Sequence, residues 1–135
     1  MEYPQMPELD QLNRIFELQK ALMDKYQVPY PGPGGELNID TLHEWTQKLG
    51  RCIIHEGCEL EDWTPWKHWS VRPGNKSNVE LGSPEHREEM RREIIDLLHF
   101  VLEAAIVHGL SAKDLFDAYV AKSEVNRKRQ ERPGY

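Results

Sequence analysis

The segment from Ser83 to Gly109 constrains the fold more than any other part of the chain. Ser83-Pro84 reads as an N-cap followed by proline at the first helical position, and Gly109 as a stop, with a helix between them reaching about His108. The latter half of this helix is almost continuously apolar, through Ile94, Ile95, Leu97, Leu98, Phe100, Val101, Leu102, Ala104, Ala105, Ile106 and Val107. A helix apolar on most of its faces is expected at the centre of a helical fold. Glu93 and Asp96 sit on it, and burying two carboxylates there is costly unless they are paired or hold a cation.

A second acidic step, Glu56-x-x-Glu59, lies in the preceding apolar helical pattern. Residues three apart on a helix share a face, so each step aims two carboxylates the same way. If the two helices lie antiparallel with these faces opposed, four carboxylates converge, and they repel one another unless a hard cation sits among them. Glu56, Glu59, Glu93 and Asp96 are therefore the expected ligands of Mg²⁺, an ion that commonly works on phosphates. The competing reading is four solvated surface acids. It is the stronger one for Glu56 and Glu59 taken alone and the weaker one for Glu93 and Asp96, which are flanked by apolar positions.

Two other metal chemistries fit less well. His55-Glu56-x-x-Glu59 lacks the second histidine of a zinc-protease H-E-x-x-H. A di-iron bundle needs Glu-x-x-His from two helices, and within the cluster only Asp96-x-x-His99 has that spacing. His99 shares the face of Asp96 and reads either as an orienting partner of a ligand or as a satisfied core histidine.

The remaining elements are also helical. Leu12, Ile15, Phe16, Leu18, Leu22 and Met23 recur at helical steps from about Pro7 to Tyr26. Val28-Pro-Tyr-Pro-Gly-Pro-Gly-Gly35 then breaks the pattern; it has no Gly-Lys-Ser/Thr ending, so it reads as a loop rather than a phosphate cradle. Asn38 is an expected N-cap for a helix to about Asp62 with Ile39, Leu42, Trp45, Leu49, Cys52, Ile53 and Leu60 inward. Ser111-x-x-Asp114 resembles a capping box for a last helix with a stripe of Leu115, Phe116, Tyr119, Val120 and Val125. No strand-like alternation competes, so the expected fold is one all-α domain over residues 1–135, a four-helix bundle.

Composition narrows the function classes. With 17 Lys+Arg against 23 Asp+Glu the formal charge is −6, which argues against a nucleic-acid partner bound by bulk charge. No apolar run approaches a membrane span and the N-terminus lacks a leader pattern, so a cytoplasmic protein without a membrane partner is expected. Cys52 and Cys58, about 9 Å apart by helical rise, are too far apart for a disulfide. Trp63, Trp66 and Trp69 with Lys67 read either as a ligand grip or as a plug for the bundle end. Arg127-Lys128-Arg129 with Arg132 reads as a solvated helix face or a phosphate contact.

The ordered set E-x-x-E, W-K-x-W, E-x-x-D with L-H-F, K-x-x-x-N-x-x-R-Q and a terminal G-Y resembles the dimeric dUTPases, within the all-α nucleoside triphosphate pyrophosphatase superfamily that includes the MazG-like enzymes. The resemblance runs from Leu18 to the end. It implies that Glu56, Glu59, Glu93 and Asp96 hold two or three Mg²⁺ ions, with Mn²⁺ able to substitute. It also implies cleavage of a nucleoside triphosphate to monophosphate and diphosphate, with Glu56 or Glu59 taking the water proton, in a homo-oligomer (dimer or tetramer).

Gln19, Trp66, Lys67, Trp69, His99, Lys122, Asn126, Arg129 and Tyr135 match positions expected to bind substrate. Met23 stands where the family carries a polar residue near the base, and the tail after Arg129 is one residue longer than the family pattern. dUTP is the first substrate this suggests; dCTP, dGTP and GTP are alternatives, as is a non-catalytic helical binding module. Compact enzymes of this kind occur in bacteriophages, which would place the protein in host cytoplasm.

Overall fold

The computed structural model describes residues 11–70 and 78–134, and these form an all-α fold with no strand among them. Four helices follow in order: α1 (Gln11–Lys25), α2 (Ile39–Glu61), α3 (Pro84–Val107) and α4 (Ala112–Gln130). The expected start of the first helix, near Pro7, lies outside the described residues. No single helix among them is long and apolar enough to cross a membrane.

The ends of the helices follow from local chemistry. Asn38 accepts the Thr41 backbone N–H at 2.9 Å and so caps α2. Ser83 caps α3 by accepting from the His86 backbone N–H at 3.1 Å. At α4, Ser111 and Asp114 exchange both bonds of a capping box, the Asp114 N–H donating to Ser111 Oγ at 3.1 Å and the Ser111 N–H to Asp114 Oδ2 at 3.0 Å. The Ser111 backbone N–H first, and its hydroxyl second, hold the Asp114 carboxyl below its ordinary range. Gly109 ends α3 at φ +80°, with Leu110 N–H bonded to Ala105 O at 3.0 Å and Gly109 N–H to Ile106 O at 2.9 Å, the paired bonds of a Schellman motif. A Cβ at Gly109 would also lie 3.1 Å from Gly35 O, so both its backbone angle and its surroundings require glycine.

The chain divides into two compact units, one made of residues 1–37 and 105–135, the other of residues 38–104. In the first, α1 and α4 are in contact, and Phe16, Met23, Val28, Ile106, Val107 and Ala112 are buried with Gln19. In the second, Leu49, Trp63, Leu102 and His86 are buried.

The expected burial pattern needs correction at three helices. On α3, Ile94, Ile95, Leu98 and Val101 remain between 42% and 52% exposed, and Leu102, Ile106 and Val107 are the fully buried apolar residues among those described on this helix. On α2, Leu49 alone of the expected inward set is fully buried and Ile39 is open to solvent. On α4, Phe116, Tyr119, Val120 and Val125 are exposed, because the helix meets its unit mainly through its first turn, at Ala112. Apolar periodicity reports which face of a helix can be buried, and the described residues do not cover all such faces here.

Ser111→Ala removes the acceptor for the Asp114 N–H and should lower the unfolding free energy by about 1 kcal/mol in urea titrations. A change within error would mean that this cap contributes nothing to the folded state.

Candidate metal centre

Within the second unit, the late turns of α2 bring Glu56 to the middle turns of α3, where Glu93 and Asp96 lie. Glu56, Glu93 and Asp96 each offer a carboxylate oxygen within 4.8 Å of the others. Glu56 and Glu93 are half-buried and Asp96 is exposed, so the group is open on one side. Glu56 Oε2 and Glu93 Oε2 are both buried with no hydrogen-bond partner. A buried carboxylate oxygen with no donor is costly, and two of them facing one another are costlier still.

The Glu56 carboxyl registers this strain directly. Its pKa is raised from 4.5 to about 7, first by burial, then by the charge of Glu59, with further contributions from hydrogen bonding to Glu93 and Glu59 and from the Glu93 charge. A proton shared among these groups relieves the repulsion, and a divalent cation would relieve it more completely. The orphaned oxygens and the all-oxygen donor set fit a hard cation such as Mg²⁺, with Glu56, Glu93 and Asp96 as the residues that would hold it.

The other expected ligand, Glu59, lies outside this group of three. It is one turn beyond Glu56 and pairs with His55 Nε2 at 3.3 Å. His99 lies on α3 one turn after Asp96 and is exposed.

Beside the acids, the segment after α2 separates its tryptophans. Trp63 is buried, while Trp66 and Trp69 are 46% and 69% exposed and meet edge to face with ring centroids 6.2 Å apart. The Trp66 indole N–H donates to Asp62 Oδ1 at 3.0 Å, and Lys67 Nζ lies 5.5 Å from the Trp66 ring centre. His68 packs edge to face on Trp69 at 5.0 Å. Only Trp63 is buried, so the reading of all three tryptophans as a plug does not hold for the outer two.

In the other unit, Lys122, Asn126 and Arg129 are exposed on α4 at steps of four and three, and so share one face. Gln19 and Met23 are buried in α1 at 3% and 1% exposure. Tyr135 lies outside the described residues. A cleft of about 350 Å³ opens among Lys20, Tyr30, the loop Pro31 to Gly34, Gly109 and Ser111, and none of the expected site residues lines it. Two side chains at the acidic group escaped the sequence reading: His86, and Trp63 as a donor to Glu93 at 3.4 Å. Their partners lie 23 and 30 residues away, and no local pattern marks them.

Four helices with a carboxylate group on facing turns define an all-α protein of the class that carries acidic sites between helices. The chain belongs to the dUTPase family of all-α nucleoside triphosphate pyrophosphatase-like proteins, whose sequence profile, described as dUTPase, matches residues 11–109. It is similar to a dCTP pyrophosphatase of Enterobacteria phage T4, 33% identical over 101 residues, covering 64% of this chain and 59% of the relative. It is also similar to a dCTP pyrophosphatase of Enterobacteria phage LZ5, 38% identical over 73 residues, covering 54% and 41%. A DNA replication protein of phage T4 is 31% identical over 94 residues, covering 59% and 24%. The chain thus spans less than two thirds of the length of these relatives. No solved structure matches it.

The raised Glu56 pKa has a definite sign. A carboxyl that titrates at 4.5 unfolded and about 7 folded stabilises the metal-free fold below pH 4.5, and that contribution is lost as pH rises through about 7. The melting temperature of metal-free wild type, minus that of Glu56→Gln, should therefore fall between pH 5 and pH 8 and recover on adding Mg²⁺. Parallel pH profiles for the two proteins would remove Glu56 from this role.

Proposed function

We propose that the protein is a Mg²⁺-dependent nucleoside triphosphate pyrophosphohydrolase, converting dCTP and water to dCMP and diphosphate. The observation that carries the reading is the trio Glu56, Glu93 and Asp96 with two buried, unpartnered oxygens, in a chain of this family. Two relatives described as dCTP pyrophosphatases favour cytosine over the uracil suggested by the sequence pattern. Met23 in place of the family's polar residue is consistent with that change of base.

When bound, the cation supplies charge neutralisation to the polyphosphate and acidifies a water. Around it, Glu56, Glu93 and Asp96 serve as ligands. Glu59, beside the trio but outside it, accepts the proton of the attacking water. Lys122, Asn126 and Arg129, one face of α4, hold the phosphates and the departing diphosphate, and the Tyr135 hydroxyl adds a polar contact. Trp66 and Trp69 offer exposed ring faces to the base, with Lys67 beside them. Gln19 is a further residue proposed to bind substrate, and His99 orients Asp96. The setting is the nucleotide pool, in a host cell if the chain is phage-encoded like its relatives.

The working form is a homo-oligomer. Ile94, Ile95, Leu98 and Val101 form an apolar face on α3 that a second copy would cover, and contiguous exposed apolar surface of this kind is a hallmark of association.

Incubation with each dNTP and NTP, with and without Mg²⁺, should give monophosphate and diphosphate with dCTP the best substrate, and only with metal. Glu93→Gln should lower the rate by roughly two to three orders of magnitude. Turnover unchanged in Glu93→Gln would overturn the site, and a preference for another nucleotide would overturn the cytosine assignment alone. Light scattering should give a multiple of the chain mass for wild type and a smaller particle for Leu98→Asp; a monomeric wild type would refute the oligomer.

A further inference from the structure

The acidic group has a neutral support that its proposed role as a metal site leaves unexplained. His86, at the third position of α3, is only 6% exposed. Its backbone N–H is held by the N-cap Ser83, and its ring reaches back to two main-chain groups. The Gly82 N–H donates to His86 Nδ1 at 3.0 Å, so Nδ1 carries a lone pair and the ring proton resides on Nε2. That Nε2–H donates to the Trp63 carbonyl at 2.6 Å. Both ring nitrogens are therefore satisfied by a neutral imidazole, whose plane is tilted 51° to the Trp63 indole at a centroid separation of 6.2 Å.

Trp63 continues the line. Its indole N–H donates to Glu93 Oε1 at 3.4 Å, while Glu93 Oε2 is buried with no partner. His86 and Glu93 are seven apart and so on one face of α3, about 10 Å apart along the axis. Trp63 spans that interval, gripped at its main chain by His86 and gripping the carboxylate with its ring.

We infer that Trp63, locked in place by His86, is a positioning residue that turns the Glu93 carboxylate so that one oxygen is held by the indole and the other is presented to the cation. This rests on the metal-site reading above. The chemistry suits the task. An indole N–H is a donor only, so it neither competes for the metal nor accepts a proton from the cluster. It is also uncharged, unlike Arg or Lys, and leaves the full negative charge of Glu93 available to the ion. Outer partners that orient a ligand typically change metal affinity by one to two orders of magnitude.

The test measures metal binding without substrate. Mn²⁺ affinity by calorimetry should fall about tenfold in Trp63→Phe, which keeps a ring but loses the N–H. His86→Gln, which retains a donor for the Trp63 carbonyl, should keep more of the affinity than His86→Phe. In ¹⁵N-labelled wild type with its four tryptophans, one indole N–H resonance should shift with Mg²⁺ at the calorimetric midpoint. It is assigned to Trp63 by eliminating the signals lost in Trp45→Phe, Trp66→Phe and Trp69→Phe, so the measurement survives if Trp63→Phe does not fold. Mn²⁺ affinity in folded Trp63→Phe equal to wild type, or a Trp63 indole signal indifferent to saturating Mg²⁺, overturns the inference while the metal site stands. Wild type that binds neither ion overturns the metal site and the inference together.

Discussion

Mutual repulsion between Glu56 and Glu93, half-buried on facing turns of α2 and α3, sets the terms for the second unit. Their inner oxygens have no donor, so the surrounding fold must hold them together against both desolvation and like charge. The helix caps at Asn38 and Ser83 fix where the two helices begin, and the contacts of Trp63 with His86 and Glu93 tie the end of α2 to the start of α3. The cost is concentrated on Glu56, which holds a proton to about pH 7 when no ion is present. Strain of this sort is compatible with the proposed cation site. Ligands held close in advance need little rearrangement to bind, and the repulsion relieved on binding adds to affinity.

Much of this architecture was legible in the chain itself. Caps are local, so Asn38, Ser83, Gly109 and the Ser111/Asp114 box could be read from a few residues each, and all of them end or begin a helix in the structure. The acidic spacing at Glu93 and Asp96 was equally informative, because carboxylates within an apolar run are conspicuous. Depth of burial was less legible. The run from Ile94 to Val107 suggests a helix covered on every side, yet the sequence cannot say whether the covering surface comes from the same chain. Tertiary partners were the least legible: the contacts of Glu59 with His55 and with Glu56 depend on side-chain rotamers, and the His86 to Trp63 contact depends on how two helices meet.

The family relationship and the geometry constrain different parts of the functional reading. The geometry speaks to the acids, since three carboxylates that offer oxygens within 4.8 Å of one another could hold a hard cation or share a proton. The base is decided elsewhere, by groups that read the edge of a ring. The proposed preference for cytosine rests there on the similarity to two phage proteins described as dCTP pyrophosphatases.

The clamp formed by His86 on the Trp63 carbonyl has a consequence for how such a chain can diversify. It closes the long connection between α2 and α3 at its base, pinning the residue that follows α2 to the first turn of α3. Loop closure grows only slowly in cost, by about 0.6 kcal/mol for each doubling of length. A change in the length of this connection should therefore cost the fold little in closure entropy.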